Sequence, residues 1–397
     1  MTVLALLSDA FGGCGGIAKF NRDLLTALCA MPSVERVVAL PRLMPNPPGD
    51  LPAKLHYDTG AVGGKIRYAL ATARAARLVP RCSLIVCGHI NLLPFAFAAR
   101  ALSGGDSAGN GTARRPVVLI VHGIDAWQPT GRRLVNGLAG RIDAVVAVSD
   151  FTRQRFLAWA QPERADAFVL PNCVDLSRFS PGPKNGALLE RYGLRERTVL
   201  LTVGRLSASE RSKGVDEVLD VLPELAREIP NLAYLIVGEG GDRARLEQKA
   251  RRLGLGERVK FTGWLDDNEL AEHYRLADAF VMPGRGEGFG IVYLEALACG
   301  VPVVASTADA SAEVVRGCDM AVTADPRDPA SVKAAIRTAL QLPRGRPAAL
   351  AQRCSTAAFH RRCADIFETL AVRFGILAPD GAARVERTPT MLPTRER

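Results

Sequence analysis

The chain has 397 residues, which is too many for one ordinary hydrophobic core and suits two domains. Its 51 basic and 41 acidic residues give a formal net charge of +10, which favours anionic partners such as nucleotide phosphates or an acidic membrane surface. No run of 18 apolar residues occurs, and the nine cysteines are scattered without a C-x-x-C pair. The sequence therefore speaks against a membrane-spanning helix, a zinc site and a disulfide framework.

Short apolar runs alternate with helical patterns from end to end of the chain. The runs are 2–7, 34–40, 84–87, 117–121 and 144–148 in the first half, and 199–203, 233–237, 259–261, 279–282 and 303–305 in the second. This alternation predicts parallel β-sheets covered by helices on both faces, and the two sets predict two Rossmann-like domains. Prolines and glycines at 181–186 place the boundary near 171–197. Composition predicts mobile segments at 41–52, at 103–116 and in the tail after 379.

A glycine-rich loop follows the first predicted strand and opens a helix. Its glycines include Gly12, Gly15 and Gly16, which let the backbone approach a ligand closely, and a helix start attracts anions. Taken alone, the loop also permits a dinucleotide site. It lacks a clean G-x-G-x-x-G pattern, and no acidic residue ends the second predicted strand.

Polar residues follow two further predicted strands. His122 and Asp125 stand after the strand at 117–121, where side chains of a parallel sheet face a cleft. A core histidine and a turn-capping aspartate are the simpler alternatives.

Arg205 and Lys213 follow the strand at 199–203 and suit phosphate binding. Arg205 can form two hydrogen bonds to phosphate oxygens, and Lys213 can add a point charge. Two solvated surface cations are the alternative there.

The most informative segment combines a strand at 279–282, a glycine-rich loop with Glu287, and a helix that starts at Ile291 and carries Glu295. This order points free backbone N–H groups and the positive end of a helix dipole at a ligand, for which a phosphate is the natural choice. The two glutamates are predicted to face one cleft, near opposite ends of an extended ligand. Solvated charges at a helix end are the alternative.

This segment resembles the E-x7-E motif of the retaining glycosyltransferases of family 4. The match extends over Glu287-Gly288-Phe289-Gly290 and the following 295–305. The pieces His122-Gly123-Ile124-Asp125 and Gly204-Arg205-Leu206 with Lys213-Gly214 agree with family patterns as well. The resemblance is strong over most of 170–315 and weak in the first half.

The resemblance implies an α/β fold of GT-B architecture, with two facing Rossmann-like domains, parallel sheets and an interdomain active cleft. We therefore predict an acceptor-binding domain at 1–175 and a linker at 176–197. A nucleotide-sugar-binding domain at 198–347 follows, then a helix at 348–376 that crosses back to the first domain, and a flexible tail at 377–397.

The resemblance also implies roles for single residues. Glu295 would bind the donor ribose and Glu287 the sugar hydroxyls, while Arg205, Lys213 and backbone amides would hold the diphosphate. The predicted catalytic residues are Glu287, His122, Arg205 and Lys213; the predicted donor-binding residues are Gly15, Gly16, Gly288, Phe289, Gly290, Ile291 and Glu295; the predicted acceptor-binding residue is Asp125. Without a D-x-D motif in a supporting context, we expect no metal and no cofactor besides the nucleoside-diphosphate sugar as co-substrate.

The implied function is retaining transfer of a hexose of the mannose, glucose or N-acetylglucosamine type. The sugar would move from a nucleoside-diphosphate sugar to a hydroxyl of a glycan or lipid-linked acceptor, in surface or exopolysaccharide synthesis. One alternative is a nicotinamide-dependent oxidoreductase that uses the Gly12–Gly16 loop. A second is a non-catalytic protein that binds sugar nucleotides.

A helical stretch in the first half carries the basic residues Lys65, Arg67, Arg74, Arg77 and Arg81. Such a helix can dock on an anionic membrane surface, and a solvated helix face is the alternative. The N-terminus lacks a basic leader with a long apolar core, and the cysteine usage fits a reducing compartment. We expect a cytoplasmic protein, peripheral at the inner face of the membrane, without a nucleic-acid partner.

Overall fold

The structure, a computed structural model, describes residues 1–79, 84–102, 115–208 and 211–378. Arg81, most of the segment predicted to be mobile at 103–116, and the tail from 379 lie outside the described residues. Within the described residues, the strands form one parallel sheet of seven strands and one of six. The prediction of two Rossmann-like α/β sheets is confirmed.

The first sheet has the strand order β3-β2-β1-β4-β5-β6-β7, with every neighbouring pair parallel. Its strands are β1 (Thr2–Leu7), β2 (Arg36–Pro41), β3 (Leu55–Tyr57), β4 (Leu84–Cys87), β5 (Val117–Val121), β6 (Ala144–Ala147) and β7 (Asp166–Val169). The order reverses between β1 and β4. In open α/β sheets, ligands bind outside the carboxyl ends of the strands at such a reversal.

The second sheet has the order β10-β9-β8-β11-β12-β13 and reverses between β8 and β11. Its strands are β8 (Thr198–Val203), β9 (Leu232–Val237), β10 (Val259–Gly263), β11 (Ala279–Val281), β12 (Val303–Ser306) and β13 (Ala321–Ala324). Central strands such as β1, β9 and β11 are buried along their whole length, as expected for a parallel sheet with both faces covered.

Helices cover both faces of each sheet. They are α1 (Gly16–Ala30), α2 (Lys65–Leu78), α3 (Leu93–Leu102), α4 (Arg133–Ala139), α5 (Asp150–Ala160), α6 (Gly186–Arg191), α7 (Val215–Glu228), α8 (Arg243–Arg252), α9 (Leu270–Leu276), α10 (Ile291–Ala298), α11 (Ser311–Val315), α12 (Pro329–Gln341), α13 (Ala348–Cys354) and α14 (Thr356–Arg373). Side-chain caps fix several starts; Ser149, for example, accepts a hydrogen bond from the backbone N–H of Thr152 at the start of α5.

The end of the chain differs from the single helix expected at 348–376. The structure has two helices, because Ser355 leaves the helical conformation and its hydroxyl caps α14 by accepting from the N–H of Ala358. The carbonyl of Cys354 accepts a hydrogen bond from the N–H of Val174, which ties the break to the first half of the chain. The stretch expected to be a linker also contains a short helix, α6.

Helix α14 packs on α1 beneath the first sheet. The rings of Phe20 and Phe359 meet edge to face, with their centroids 5.7 Å apart. Further out, the hydroxyl of Ser33 donates to a carboxylate oxygen of Glu368 at 3.2 Å. The last helix therefore contacts helix α1 and the loop after it, at the start of the chain.

Candidate active site

The loop between β11 and α10, together with that helix, holds five of the seven predicted donor-binding residues. Gly290 precedes the first helical residue, Ile291, with φ of 92°, and a Cβ there would overlap the ring of Tyr293. Phe289 is buried in the core beneath the loop. The first turn of any α-helix leaves N–H groups without intrahelical partners, so this end of α10 can hold an anion.

Three of the predicted catalytic residues meet beside this loop. Glu287 is almost buried, and its carboxylate forms an ion pair with the ammonium group of Lys213. Arg205 is exposed, and Arg205 and Lys213 line the same small cavity. The N–H of Arg285 donates to the carbonyl of Ser212 at 2.8 Å, which holds the glycine-rich loop against the turn before Lys213. A diphosphate at this point would find two cations and a helix start.

Glu295 lies in α10, and among the residues that the structure describes its partners differ from those of Glu287. Its carboxylate is buried and accepts a hydrogen bond from the hydroxyl of Tyr274 at 2.8 Å. Burial raises the pKa of Glu295 to about 7, although Tyr274, Lys19 and Arg178 act in the opposite direction. The two glutamates thus have separate partners, and contacts near opposite ends of a long ligand stay a prediction.

His122 and Asp125 lie on the opposite wall, after β5. The Nε2 atom of His122 is 2.9 Å from the carbonyl of Gly88, and the ring meets Phe20 edge to face. Burial lowers the pKa of His122, so its imidazole is neutral near neutral pH. The carboxylate of Asp125 lies 3.5 Å from Nε2 of His89.

The two walls touch through glycines. A Cβ added to Gly288 would lie 1.9 Å from the carbonyl oxygen of His122 and 2.6 Å from the Cα of Gly123. The carbonyl of Gly288 also accepts hydrogen bonds from the hydroxyls of Ser149 at 2.7 Å and Thr152 at 3.1 Å. Gly288 is therefore one point at which the two halves of the chain meet.

A second contact fastens the same surfaces. The carboxylate of Glu313, in α11, accepts hydrogen bonds from the backbone N–H groups of Asp150 at 2.9 Å and Phe151 at 2.5 Å. These groups belong to the first turn of α5, where a carboxylate is favoured by the helix dipole. Glu313 thus caps a helix of the first half from the second half.

Gly15 and Gly16 lie in the loop between β1 and α1. Gly15 has φ of 87°, and a Cβ at either position would meet open space, so a ligand can approach the backbone there. Gly12, by contrast, packs against the carbonyl of Asn46. One turn into α1, the ammonium group of Lys19 donates to the carbonyl of Cys173 at 3.0 Å.

Four residues with contacts to this site were absent from the sequence-based prediction. They are His89, Tyr274, Asp309 and Glu313. Asp309 is buried and accepts from the N–H of Glu287 at 3.0 Å, so it fixes the loop that carries the glutamate; burial raises its pKa to about 6. A signal existed for His89, which follows β4 directly after a glycine, at the same edge of the sheet as His122.

Comparisons with known proteins identify the family to which the chain belongs. The family model "Glycosyltransferase Family 4" matches residues 14–178, and the model "Glycosyl transferases group 1" matches residues 190–361. The chain is 38% identical over 261 residues to a GDP-mannose-dependent alpha-(1-6)-phosphatidylinositol monomannoside mannosyltransferase of Mycolicibacterium smegmatis, covering 63% of this chain and 67% of that relative. The chain therefore belongs to the family 4 glycosyltransferases.

Other relatives match over shorter stretches. The Mycobacterium tuberculosis enzyme of the same description is 37% identical over 211 residues, which are 50% of this chain and 54% of the relative. Among solved structures, HepE of Anabaena in complex with UDP and glucose has a TM-score of 0.67 at 22% identity. That alignment covers 94% of this chain and 99% of HepE, and it confirms the predicted GT-B fold.

We expect Gly288→Ala to push the two walls of the site apart, because its new Cβ would clash with the His122 carbonyl. Overpacking of this kind costs about 1–3 kcal/mol. The variant should melt at a lower temperature, and small-angle X-ray scattering should give a larger radius of gyration. Gly131→Ala, whose Cβ meets open space, is the matched control. Equal radii for both variants and the wild type would contradict the assigned contact.

We expect Glu295→Gln to stabilise the protein in a pH-dependent way. Because the folded pKa of about 7 exceeds the ordinary value of 4.5, the stability that this group contributes is complete below pH 4.5 and is lost as pH rises through 7. The glutamine variant cannot ionise, so it should be the more stable protein near pH 8, by up to about 3 kcal/mol, and by no more than about 1 kcal/mol near pH 5.

Thermal melts of both proteins at the two pH values measure this difference. Glu257→Gln, in which the lost carboxylate is 97% exposed, serves as the control and should follow wild type throughout. A Glu295→Gln variant that differs from wild type by the same amount near pH 5 and pH 8 would show that Glu295 does not titrate in this range.

Proposed function

We propose that this protein is a retaining glycosyltransferase that moves mannose from GDP-mannose to a hydroxyl of a lipid-linked sugar acceptor, in the synthesis of a surface glycan. The donor is proposed from the names of the mycobacterial relatives, which are GDP-mannose-dependent mannosyltransferases. The acceptor class follows from the same names, in which the acceptor is a phosphatidylinositol mannoside.

The observation that carries this proposal is that Lys213 lines one cavity with Arg205 and forms an ion pair with Glu287, which lies just before the start of α10. As the bond between the sugar C1 and the phosphate oxygen breaks, negative charge grows on the departing diphosphate. Cations and helix N–H groups fixed at that place stabilise the charge without reorganising, and this lowers the barrier. Glu287, held by Lys213 and Asp309, is positioned to accept hydrogen bonds from sugar hydroxyls.

Retention follows in this proposal from attack on the same face that the phosphate leaves. The acceptor oxygen bonds to C1 while the C1–phosphate bond breaks, and a phosphate oxygen takes the hydroxyl proton. No side chain has to act as a nucleophile. We propose transfer without a metal or further cofactor, because the sequence offers no D-x-D motif in a supporting context.

Two other functions were open from the sequence. Family membership favours glycosyl transfer over a nicotinamide-dependent oxidoreductase, since the Gly12–Gly16 loop occurs here within a family 4 match. A non-catalytic sugar-nucleotide sensor would keep the phosphate contacts and lack turnover. Assays for binding and for transfer therefore separate the remaining alternatives.

We expect GDP to raise the melting temperature, because a ligand that binds the native state stabilises it, and NAD to leave it unchanged. Arg205→Ala and Glu295→Ala should each weaken the GDP shift and reduce mannose transfer by at least about tenfold. Arg252→Ala, on the exposed face of α8, is the control and should keep both. The product should carry the α configuration, by NMR, and EDTA should not change the rate.

A shift with UDP alone would replace the proposed base and leave the reaction class intact. Binding of a nucleotide without any transfer would favour the sensor. A shift with NAD alone, or full activity in both Arg205→Ala and Glu295→Ala, would contradict the assignment of the site.

We further propose that helix α2 brings the protein to an anionic membrane surface. Ile66, Leu70 and Leu78 are 78%, 67% and 73% exposed, although large apolar side chains at a helix surface normally pack inward. Arg74 and Arg77 are exposed on the same side of the helix as Ile66 and Leu70, given a rotation of about 100° per residue. Apolar anchors among basic residues are typical of helices that lie in a membrane interface.

The basic residues Lys65 and Arg67 at the start of α2 are exposed as well. Among the residues that the structure describes, no helix has the length and apolar character needed to cross a bilayer. In this proposal, α2 contacts the cytoplasmic face of the membrane. That contact would keep the cleft close to a lipid-linked acceptor in the same membrane.

We expect the protein to co-sediment with vesicles that contain phosphatidylglycerol, more strongly at low salt than at high salt. The double variant Arg74→Glu/Arg77→Glu should lose most of this binding. The matched control Arg251→Glu/Arg252→Glu changes the net charge equally on the exposed face of α8 and should keep it. Equal loss in both double variants would show an effect of total charge, and no binding by the wild type would exclude the proposed surface.

A further inference from the structure

Three polar side chains stand at the carboxyl ends of neighbouring strands in the first sheet. Asp9 follows β1, His89 follows β4 and Asp125 follows β5, and these strands are adjacent in the order β1-β4-β5. Asp125 lies within 3.5 Å of His89, and Asp9 is close enough to His89 for their charges to interact. The loop after β4 therefore lies between two carboxylates.

The orientation of the His89 ring is fixed by the backbone. Its Nδ1 atom accepts a hydrogen bond from the N–H of Asn91 at 3.1 Å, so in the neutral ring the proton is on Nε2. Nε2 faces Oδ2 of Asp125 at 3.5 Å, and both side chains are mostly buried, at 17% and 21% exposure. The N–H of the neutral ring, on Nε2, therefore points toward Asp125. Nδ1 cannot donate, because it accepts from the backbone N–H of Asn91.

Among the described residues, one oxygen of the Asp125 carboxylate lacks a hydrogen-bond donor. Its Oδ2 atom is buried, and within the described part of the chain it has no hydrogen-bond partner. The 3.5 Å separation from His89 is longer than a normal hydrogen bond. A buried, unsatisfied carboxylate oxygen is costly, and a hydroxyl donor would relieve that cost.

The same β4 loop also holds His122. The carbonyl of Gly88, next to His89 in the chain, is the partner of His122 Nε2 at 2.9 Å. Two successive residues after β4 thus orient the two polar residues after β5, Gly88 through its carbonyl and His89 through its ring. The loop after β4 acts as a support for the wall on which the acceptor would lie.

We propose that His89 is a positioning residue that holds the Asp125 carboxylate for an acceptor hydroxyl, and that Asp9, His89 and Asp125 form a subsite for a polyol or sugar acceptor. This rests on the proposed glycosyltransferase function. Carboxylate oxygens accept hydrogen bonds from hydroxyls, and in this proposal the imidazole, 3.5 Å from Oδ2 here, comes within hydrogen-bonding distance of it when the acceptor is bound. A small displacement of such a group reduces transfer strongly, because the attacking oxygen must lie close to the sugar carbon.

Two substitutions separate positioning from structural support. In His89→Asn, the side-chain oxygen can replace Nδ1 and accept from Asn91, but nothing donates to Asp125. In His89→Gln, the amide nitrogen can reach the place of Nε2 and donate to Asp125, while the acceptor for Asn91 is lost. Each variant therefore keeps one of the two contacts of the imidazole.

The assay measures mannose transfer from GDP-mannose to a panel of octyl mannoside, octyl glucoside and myo-inositol, together with melting temperature and the GDP shift. We expect His89→Asn to keep its melting temperature and GDP shift and to lose at least about tenfold in kcat/KM for the acceptor, mainly through KM. His89→Gln should keep kcat/KM near the wild-type value with a lower melting temperature. Adding His89→Asn to the Asp125→Ala variant should lower kcat/KM for the acceptor little further, because the two residues act as a unit.

The opposite order, with His89→Gln losing transfer and His89→Asn keeping it, would overturn the positioning role and leave a purely structural histidine. Equal kcat/KM in both variants and the wild type would overturn it as well, while the wild-type activity keeps the proposed function. A wild-type protein that shows neither a GDP shift nor transfer to the panel would overturn both.

Discussion

The close approach of Gly288 to Gly123 sets the geometry of the whole cleft. These residues lie in loops that follow strands of different sheets, and neither has a Cβ, so the two backbones can lie in van der Waals contact. The carbonyl of Gly288 then accepts from Ser149 and Thr152. Side chains at these glycines would separate the walls, and the phosphate-binding loop would no longer face His122. The distance between the two halves of the site is therefore decided by backbone contact and not by flexible side chains.

Around that contact, the second half of the chain buries an unusual amount of charge. Glu287, Glu295 and Asp309 are all nearly inaccessible to water, and burial raises the pKa of Glu295 and of Asp309. Buried carboxylates reduce stability unless partners compensate them, and here the compensation is partial: a lysine for Glu287 and a tyrosine hydroxyl for Glu295. Perturbed titratable groups gathered in one cleft are typical of a functional site.

The sequence was sufficient for the central strands and insufficient at three of the four sheet edges. The strands that the sequence-based prediction missed, β3, β7 and β13, are all edge strands, and their residues are only partly buried. An edge strand has no continuous apolar run to distinguish it from a loop. The break at Ser355 was missed for a different reason, because it depends on the bridge from Cys354 to Val174, which lies far away in the chain.

The predicted site shows the same division between local and tertiary information. Arg205, Lys213 and Glu287 were found from motifs, and the structure brings them together, because each follows a strand beside the reversal of the second sheet. Glu313 left no local signal, since its partners are backbone groups of α5. His89 had a local signal, because a glycine-histidine pair follows β4. Strand β4 lies beside the reversal of the first sheet, where ligands bind at the carboxyl ends of the strands.

The two walls differ in chemistry in a way that suits group transfer. The wall from the second sheet presents fixed cations and a helix start, which stabilise charge that develops on a leaving phosphate. The wall from the first sheet presents His122, kept neutral by burial, and the carboxylate of Asp125 beside His89. A cation there would compete for the diphosphate, whereas neutral and anionic acceptors can hold hydroxyl groups. Since Gly288 fixes the distance between the walls, each set of groups can act on its own end of the reacting bond.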